Sequence, residues 1–581
     1  MKTKLYGILL AVVMLFCFVV TGCDTPDPNN GDDPVIELTC YSQLANINGE
    51  QPGFFKALLL DKFNVKLNIV ADGDGVYESR MESGNLGDIV VWGSNGSKYQ
   101  NAIKRDMLFA WDKYGLLENH GANLQQYFSA ALQANKELNE QIGPEEKYKK
   151  TYGIGHSVSP SADDHASFFY SWDIRWDLYK QLGYPKVDTL EDYIDVLKAM
   201  QQLEPKDQSG KATYAASPFK DWDGNMVMNV KSFASSYYGY DEFQIGLYDA
   251  VNGVFHDALE TDGPYLNALN YFYQLKKNGL LDVDAQSNNW DSMAEKVKNG
   301  GVFSSTFDFS GSLLYNTTER LAEGKMMAPL VPSQATMISY GLSPYGSERV
   351  WSIGSRTRYP EKCMEIIDWL ASPEGAMSIW YGLRGVHWGY DQNGYTSFTA
   401  FGKECFRDPN KIQNGVTWVS PYTGKSYELS GTYNDGKLQV NNIIWSLDAI
   451  NPDTVTAANP IGEKFKNDYW RSELSAEVSA IEQDWRDYTN SINLQDYMEK
   501  QNYSIIPASN YAERPKSAAM ELRWNEITKI IKRQTWIAMF AANDLAYKNA
   551  VSDMVKQCEA QGYAEIVQWC EEEALRKWPA K

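Results

Sequence analysis

Gly87-Asp88-Ile89-Val90-Val91-Trp92 is a short apolar, β-branched run entered through a glycine, and it reads as a buried strand. Two similar runs precede it, Val35–Tyr41 and Val65–Val70. Helices fit the gaps: Gly53–Phe63 carries Phe54, Leu58, Leu59 and Phe63 at helical spacing, and Ser97–Met107 follows the third strand. This alternation predicts an α/β domain with a mainly parallel sheet. A second α/β unit is expected from Ala166. There Ser167–Tyr170 is strand-like, and Asp177–Leu182 is a helix stopped by Gly183. Thr189, with Asp192 three residues on, caps a helix whose apolar face is Leu190, Tyr193, Ile194, Leu197 and Met200. Ala212–Ser217, Gly301–Thr306 and Arg349–Ile353 read as further strands, Glu361–Leu370 as a helix, and Ser372-Pro373-Glu374-Gly375 as the start of another. From about Asn451 helical periodicity dominates, most clearly over Ala518–Phe540 and Asp544–Glu559.

The N-terminus lies outside this fold. Lys2 and Lys4 precede an apolar run from Leu5 to Val20, too short to span a bilayer comfortably, which makes 1–22 a signal segment. Small residues before Cys23 form a lipobox, so Cys23 is the expected lipidation site. Residues 23–34 are polar and acidic and read as a flexible tether. No later window supplies about 20 apolar residues in a row, so the mature protein is expected to be soluble and tied to a membrane surface by its anchor. A net charge of −21 argues against nucleic acid or anionic lipid as a partner, since both require a basic face. The remaining cysteines, Cys40, Cys363, Cys405, Cys558 and Cys570, have no paired or metal-type spacing and read as buried thiols. The 18 Trp and 37 Tyr exceed what cores alone usually use, so some rings are expected to serve a ligand.

In this order, the segments Gly87–Trp92, Phe169–Gly183, Asn299–Phe303, Trp369–Gly375 and Tyr381–Trp388 resemble the large extracellular solute-binding lipoproteins of ABC importers, with the maltose-binding-protein type of fold. The resemblance spans most of the chain, and Tyr381–Trp388 is its most specific piece. It implies two α/β lobes of the periplasmic-binding-protein type II class, joined by crossing strands, with the solute in the cleft between them and a helical C-terminal extension. The corresponding boundaries are 35–165 and 326–385 for the first lobe, and 166–325 and 386–581 for the second. It also implies an ABC permease as partner, a monomer, and hinge closure in place of catalysis. Some relatives hold calcium in a loop that here reads Glu204–Thr213. With few acids and two Lys in that loop, no metal is expected, and no cofactor.

Ligands of open α/β sheets sit at the carboxyl ends of strands. That rule nominates Tyr41, Ser42 and Gln43 after the first strand, and Trp92, Ser94 and Asn95 after the third. In the second lobe it nominates Trp172, Asp173, Trp222, Asp223, Phe307 and Asp308, and the returning segment adds Trp351, Arg384 and Trp388. Rings that stack on a pyranose face, beside Asp, Asn, Gln and Arg that bond its hydroxyls, suit a sugar or oligosaccharide. Core packing is the competing reading for each Trp, and an ion pair for Arg384. His387 reads as packed or capping, and Asp163-Asp164 as a solvated loop rather than half of a glycosidase pair. Four rival readings remain open: an all-helical glycan-capturing lipoprotein beside an outer-membrane transporter, a surface carbohydrate-active enzyme, a peptide as the solute, and a receptor of this fold that presents its solute to a sensor kinase.

Overall fold

A computed structural model describes residues 34–579 except Asp74, Asp163 and Ala512. The signal segment, Cys23, nearly all of the tether and Asp163 lie outside the described residues. The first sheet begins with β1 (Ile36–Ser42), β2 (Gly49–Glu50), β3 (Val65–Ala71), β4 (Ile89–Trp92) and β5 (Gly153–Gly155). β1 runs parallel to β3, Ile36 opposite Val65, and parallel to β4, Cys40 opposite Ile89. All four β4 residues are buried. Ile89 and Val91 face one core and Val90 and Trp92 another, because helices cover both faces of the sheet.

The second lobe is centred on β6 (Asp173–Arg175), antiparallel between β7 (Ser304–Ser305) and β8 (Met327–Pro329). β9 (Met337–Tyr340) follows, and β10 (Val350–Ile353) then returns to the first sheet, giving the order β2-β3-β1-β4-β10-β5. β11 (Tyr503–Ile506) pairs in parallel with β9. The expected strand Ser167–Tyr170 forms instead as β6. Trp172 adopts a left-handed backbone (φ 53°) that turns the chain just before it. Thr189 and Asp192 form a reciprocal cap on the helix Leu190–Leu203, as read from the sequence.

Buried apolar residues of 38–158 and 350–470 pack around the first sheet, and those of 168–338 and 481–578 form the second core. The chain therefore crosses between lobes three times, and it divides differently from the expected boundaries. Met326–Ile338 belongs to the second lobe because β8 pairs with β6 and β9 with β11. Residues 388–470 belong to the first lobe because their large rings are buried there. Trp445 packs at 4.7 Å from Phe128 and donates its Nε1–H to the Ala371 carbonyl, while Trp470 lies 4.7 Å from Tyr381. The helices Ala518–Met539, Asp544–Ala560 and Tyr563–Lys577 complete the second lobe. Among the described residues, no helix is long and apolar enough to cross a membrane, and no His/Cys/Asp/Glu cluster could hold a metal ion. All five cysteines outside the N-terminal segment are buried and unbridged.

Candidate functional site

Between the lobes lies a cleft of about 1010 Å³, at the upper end of small-molecule pocket sizes. Its first-lobe wall includes the helix Ser129–Glu140, which presents Ala131, Ala134 and Leu138. A buried amide fixes that helix in place. Asn135 donates to the Tyr99 hydroxyl (2.9 Å), and its Oδ1 accepts the N–H groups of Tyr152 (3.0 Å) and Gly153 (3.2 Å). His156, just past β5, also faces the cleft. Burial pushes its pKa down to about 4, so the ring is neutral at pH 7, and Nδ1 accepts the Arg349 N–H at 3.2 Å.

The opposite wall is aromatic. Trp222, 47% exposed, stacks on Trp290 at 4.9 Å and 26°. Phe309 lies 6.0 Å from Trp222 and stacks on Phe307 at 4.7 Å, and Phe307 lies 5.2 Å from Phe169, which is 53% exposed. The acids flanking Trp222 set this row. Asp221 Oδ2 accepts the Trp290 N–H (2.7 Å) at the start of the helix Trp290–Lys298, seating Trp290 beneath Trp222. Asp223 accepts the Met228 N–H (2.8 Å) and the Trp536 Nε1–H (3.0 Å), tying the other end of the loop to the C-terminal helices. Below the row, Glu242 accepts from Ser232 (2.9 Å) and pairs with Lys231 (2.7 Å), and Asp241 pairs with Lys577 (3.3 Å).

Of the residues nominated from the sequence, the structure brings Asn95, Trp222 and Phe307 to this cleft. Most of the other rings are core. Trp92 is fully buried among Tyr41, Tyr77 and Tyr99, all edge-on within 6.5 Å, because the helix Ser97–Lys104 covers that face of β4. Trp351 is buried in the first core, and Trp388 is buried with Nε1–H donating to the Gly382 carbonyl. Trp172 packs 4.9 Å from Phe233 and borders a separate cavity of about 50 Å³.

The polar nominees mostly serve local structure. Gln43 accepts the Gly93 N–H (3.0 Å), Ser94 accepts the Gly96 N–H (3.0 Å), and the Ser42 hydroxyl donates to the Val440 carbonyl. Asp308 accepts the Phe309 N–H in its own turn, and Arg384 pairs with Glu374 at 3.2 Å. Asp173 is buried, accepts the Ser312 N–H, and is raised to about pH 7 by burial. In the Glu204–Thr213 loop, Asp207 Oδ1 accepts the N–H groups of Ser209 and Lys211, and Glu204 is held by Arg175.

Most of the chain superposes on solved solute-binding proteins. The alginate-binding protein AlgQ2 without calcium ion is 16% identical, with a TM-score of 0.57, covering 94% of this chain and 99% of that one. The ABC-transporter substrate-binding protein FusA of S. pneumoniae, in complex with kestose, is 15% identical with a TM-score of 0.55, covering 93% and 99%. This chain has the two-lobe solute-binding-protein fold. An HMO-binding, ABC-transporter-associated solute-binding protein from Bifidobacterium longum infantis superposes similarly, at 15% identity, a TM-score of 0.54, and coverage of 94% and 99%. No family model matches the sequence, and neither does any curated protein. In a solute-binding-protein fold the cleft residues that sequence reasoning missed come from distant segments: His156, Lys231, Asp241, Glu242, Tyr340 and Lys577. Phe169, Tyr170, Arg349 and Val350 stand in segments that read as strands from the sequence.

Proposed function

We propose that this protein captures a saccharide in the interlobe cleft and delivers it to an ABC permease. The observation that carries the reading is the aromatic row from Trp222 to Phe169, half-exposed at both ends and opening onto a cleft with both lobes as walls. Rings of this kind stack on the C–H face of a pyranose, while carboxylates, amides and a neutral imidazole bond its hydroxyl rim. The three crossings between lobes form the hinge, and the closed, solute-bound form is the one the permease recognises. No catalytic step is involved. Cys23, diacylated, ties a monomeric protein to the outer face of the cell membrane through the 23–34 tether.

A thermal-shift screen of the protein against oligosaccharides and peptides tests this, since a tight ligand raises the melting temperature by mass action. A saccharide that shifts the wild type but not Trp222→Ala supports the reading. A peptide response with silence on all saccharides overturns it.

A further inference from the structure

Two of the three cations lining the cleft are paired with carboxylates, and that bears on which saccharide fits. Lys231 lies 2.7 Å from Glu242, and Lys577 lies 3.3 Å from Asp241. Asp241 is almost fully buried, and Lys231 and Glu242 each expose less than a quarter of their side chains. On the opposite lobe Arg349 and Glu348 are neighbours in the chain, and both line the cleft. The lining thus holds three cations and three carboxylates, and His156 adds no charge. Glu242 is held further by the Ser232 hydroxyl (2.9 Å) and the Tyr170 hydroxyl (3.4 Å), so its pair with Lys231 is built into the wall.

Resting on the saccharide reading above, we infer that the solute is an uncharged oligosaccharide and that uronate chains are rejected. A bound uronate needs a cation for each carboxylate it buries. Lys231 and Lys577 are already neutralised by Glu242 and Asp241, so a carboxylate beside them adds an unbalanced negative charge to the wall, and Arg349, next to Glu348, is the one lining cation outside these two pairs. A neutral hydroxyl rim makes no such demand. It donates to carboxylates already neutralised by lysine and accepts from the ammonium protons left over. The aromatic row supplies sequence-tolerant stacking along several sugar rings, so selection by charge falls to these pairs.

The experiment is isothermal titration of the full chain with length-matched series: neutral gluco-, manno-, xylo- and fructo-oligosaccharides against oligo-galacturonates and oligo-mannuronates. The expected result is a neutral series that binds about 100-fold or more tighter than any uronate. Glu242→Gln, which frees Lys231, should narrow that gap by about tenfold, and Asp241→Asn, which frees Lys577, provides the same readout independently. The ranking is read on the unmodified chain and so does not depend on either variant folding. A uronate that binds as tightly as the best neutral chain overturns the inference and leaves the saccharide reading standing. Failure of every saccharide, neutral and acidic, overturns both.

Discussion

His387 gives the sharpest test of the first lobe's interior. It is fully buried, its Nδ1 accepts the Leu383 N–H at 2.9 Å, and the Gln413 carboxamide lies 2.9 Å from Nε2. A second ring proton would have to sit on Nδ1, where a backbone donor already points. Burial, with Lys437 nearby, pushes the pKa down to about 3 from an ordinary 6.5. Between these values the unfolded chain binds a proton that the folded chain refuses. The stabilisation is therefore full above pH 6.5 and is lost as pH falls toward 3. By pH 5 the loss is about 2 kcal/mol, with a slope near 1.3 kcal/mol per pH unit.

The whole-protein curve mixes signs. Asp173, raised to about 7, gains stability over the same acidification, while His156, at about 4, loses it. The measurement is therefore a difference: urea denaturation of wild type and His387→Gln at pH 7.5, 6 and 5. The variant should be the weaker protein at pH 7.5, and the gap should shrink by about 2 kcal/mol by pH 5. A gap that stays constant within about 0.5 kcal/mol refutes the buried neutral imidazole.

Gly402→Ala would place a Cβ 1.6 Å from the His387 carbonyl oxygen, so the helix Ala400–Arg407 must move; urea denaturation should show a loss on the order of 3 kcal/mol. Arg175 is fully buried and forks onto Asp177 (2.9 and 2.8 Å) and Glu204 (3.1 and 3.0 Å). Arg175→Met leaves Asp177 unpaired and should cost about 3–5 kcal/mol by the same assay. Trp222→Ala removes a half-exposed ring, so calorimetry should find the melting temperature little changed while saccharide affinity falls about 30-fold or more. Burial pushes the thiols of Cys363, Cys558 and Cys570 up to about 12, so Ellman's reagent should reach them only in denaturant.

The strands and helices were legible in the sequence where a period extends over enough residues. β4 and the Thr189-capped helix are examples, with local chemistry that agrees with the final structure. The placement of rings was less legible. Trp92 and Trp222 both follow or end an apolar segment. One is core because a helix lies over its side of the sheet, and the other is half-exposed on a loop that Asp221 and Asp223 pin to second-lobe helices far along the chain. Neither fact is local. The span 388–470 was harder still. Its strands are two or three residues long, too short to show a period, and its membership of the first lobe rests on Trp418, Trp445 and Trp470 being buried in that core, with Trp445 packing on Tyr127 and Phe128 more than 300 residues upstream. The charge pairs of the cleft have the same character, since Lys577 meets Asp241 336 positions away.

The three crossings also set when this protein can fold. Ser42, at the end of β1, bonds to the Val440 carbonyl, 398 residues further on, and the second lobe is not closed until the helix Tyr563–Lys577 exists. At about 5–20 residues per second, a ribosome takes roughly 20–80 s to bring those first two partners into being. Through that interval neither lobe has a complete core, and apolar side chains that the finished fold buries stay exposed. Late closure of this kind keeps the stable form out of reach until nearly the whole polypeptide has been made.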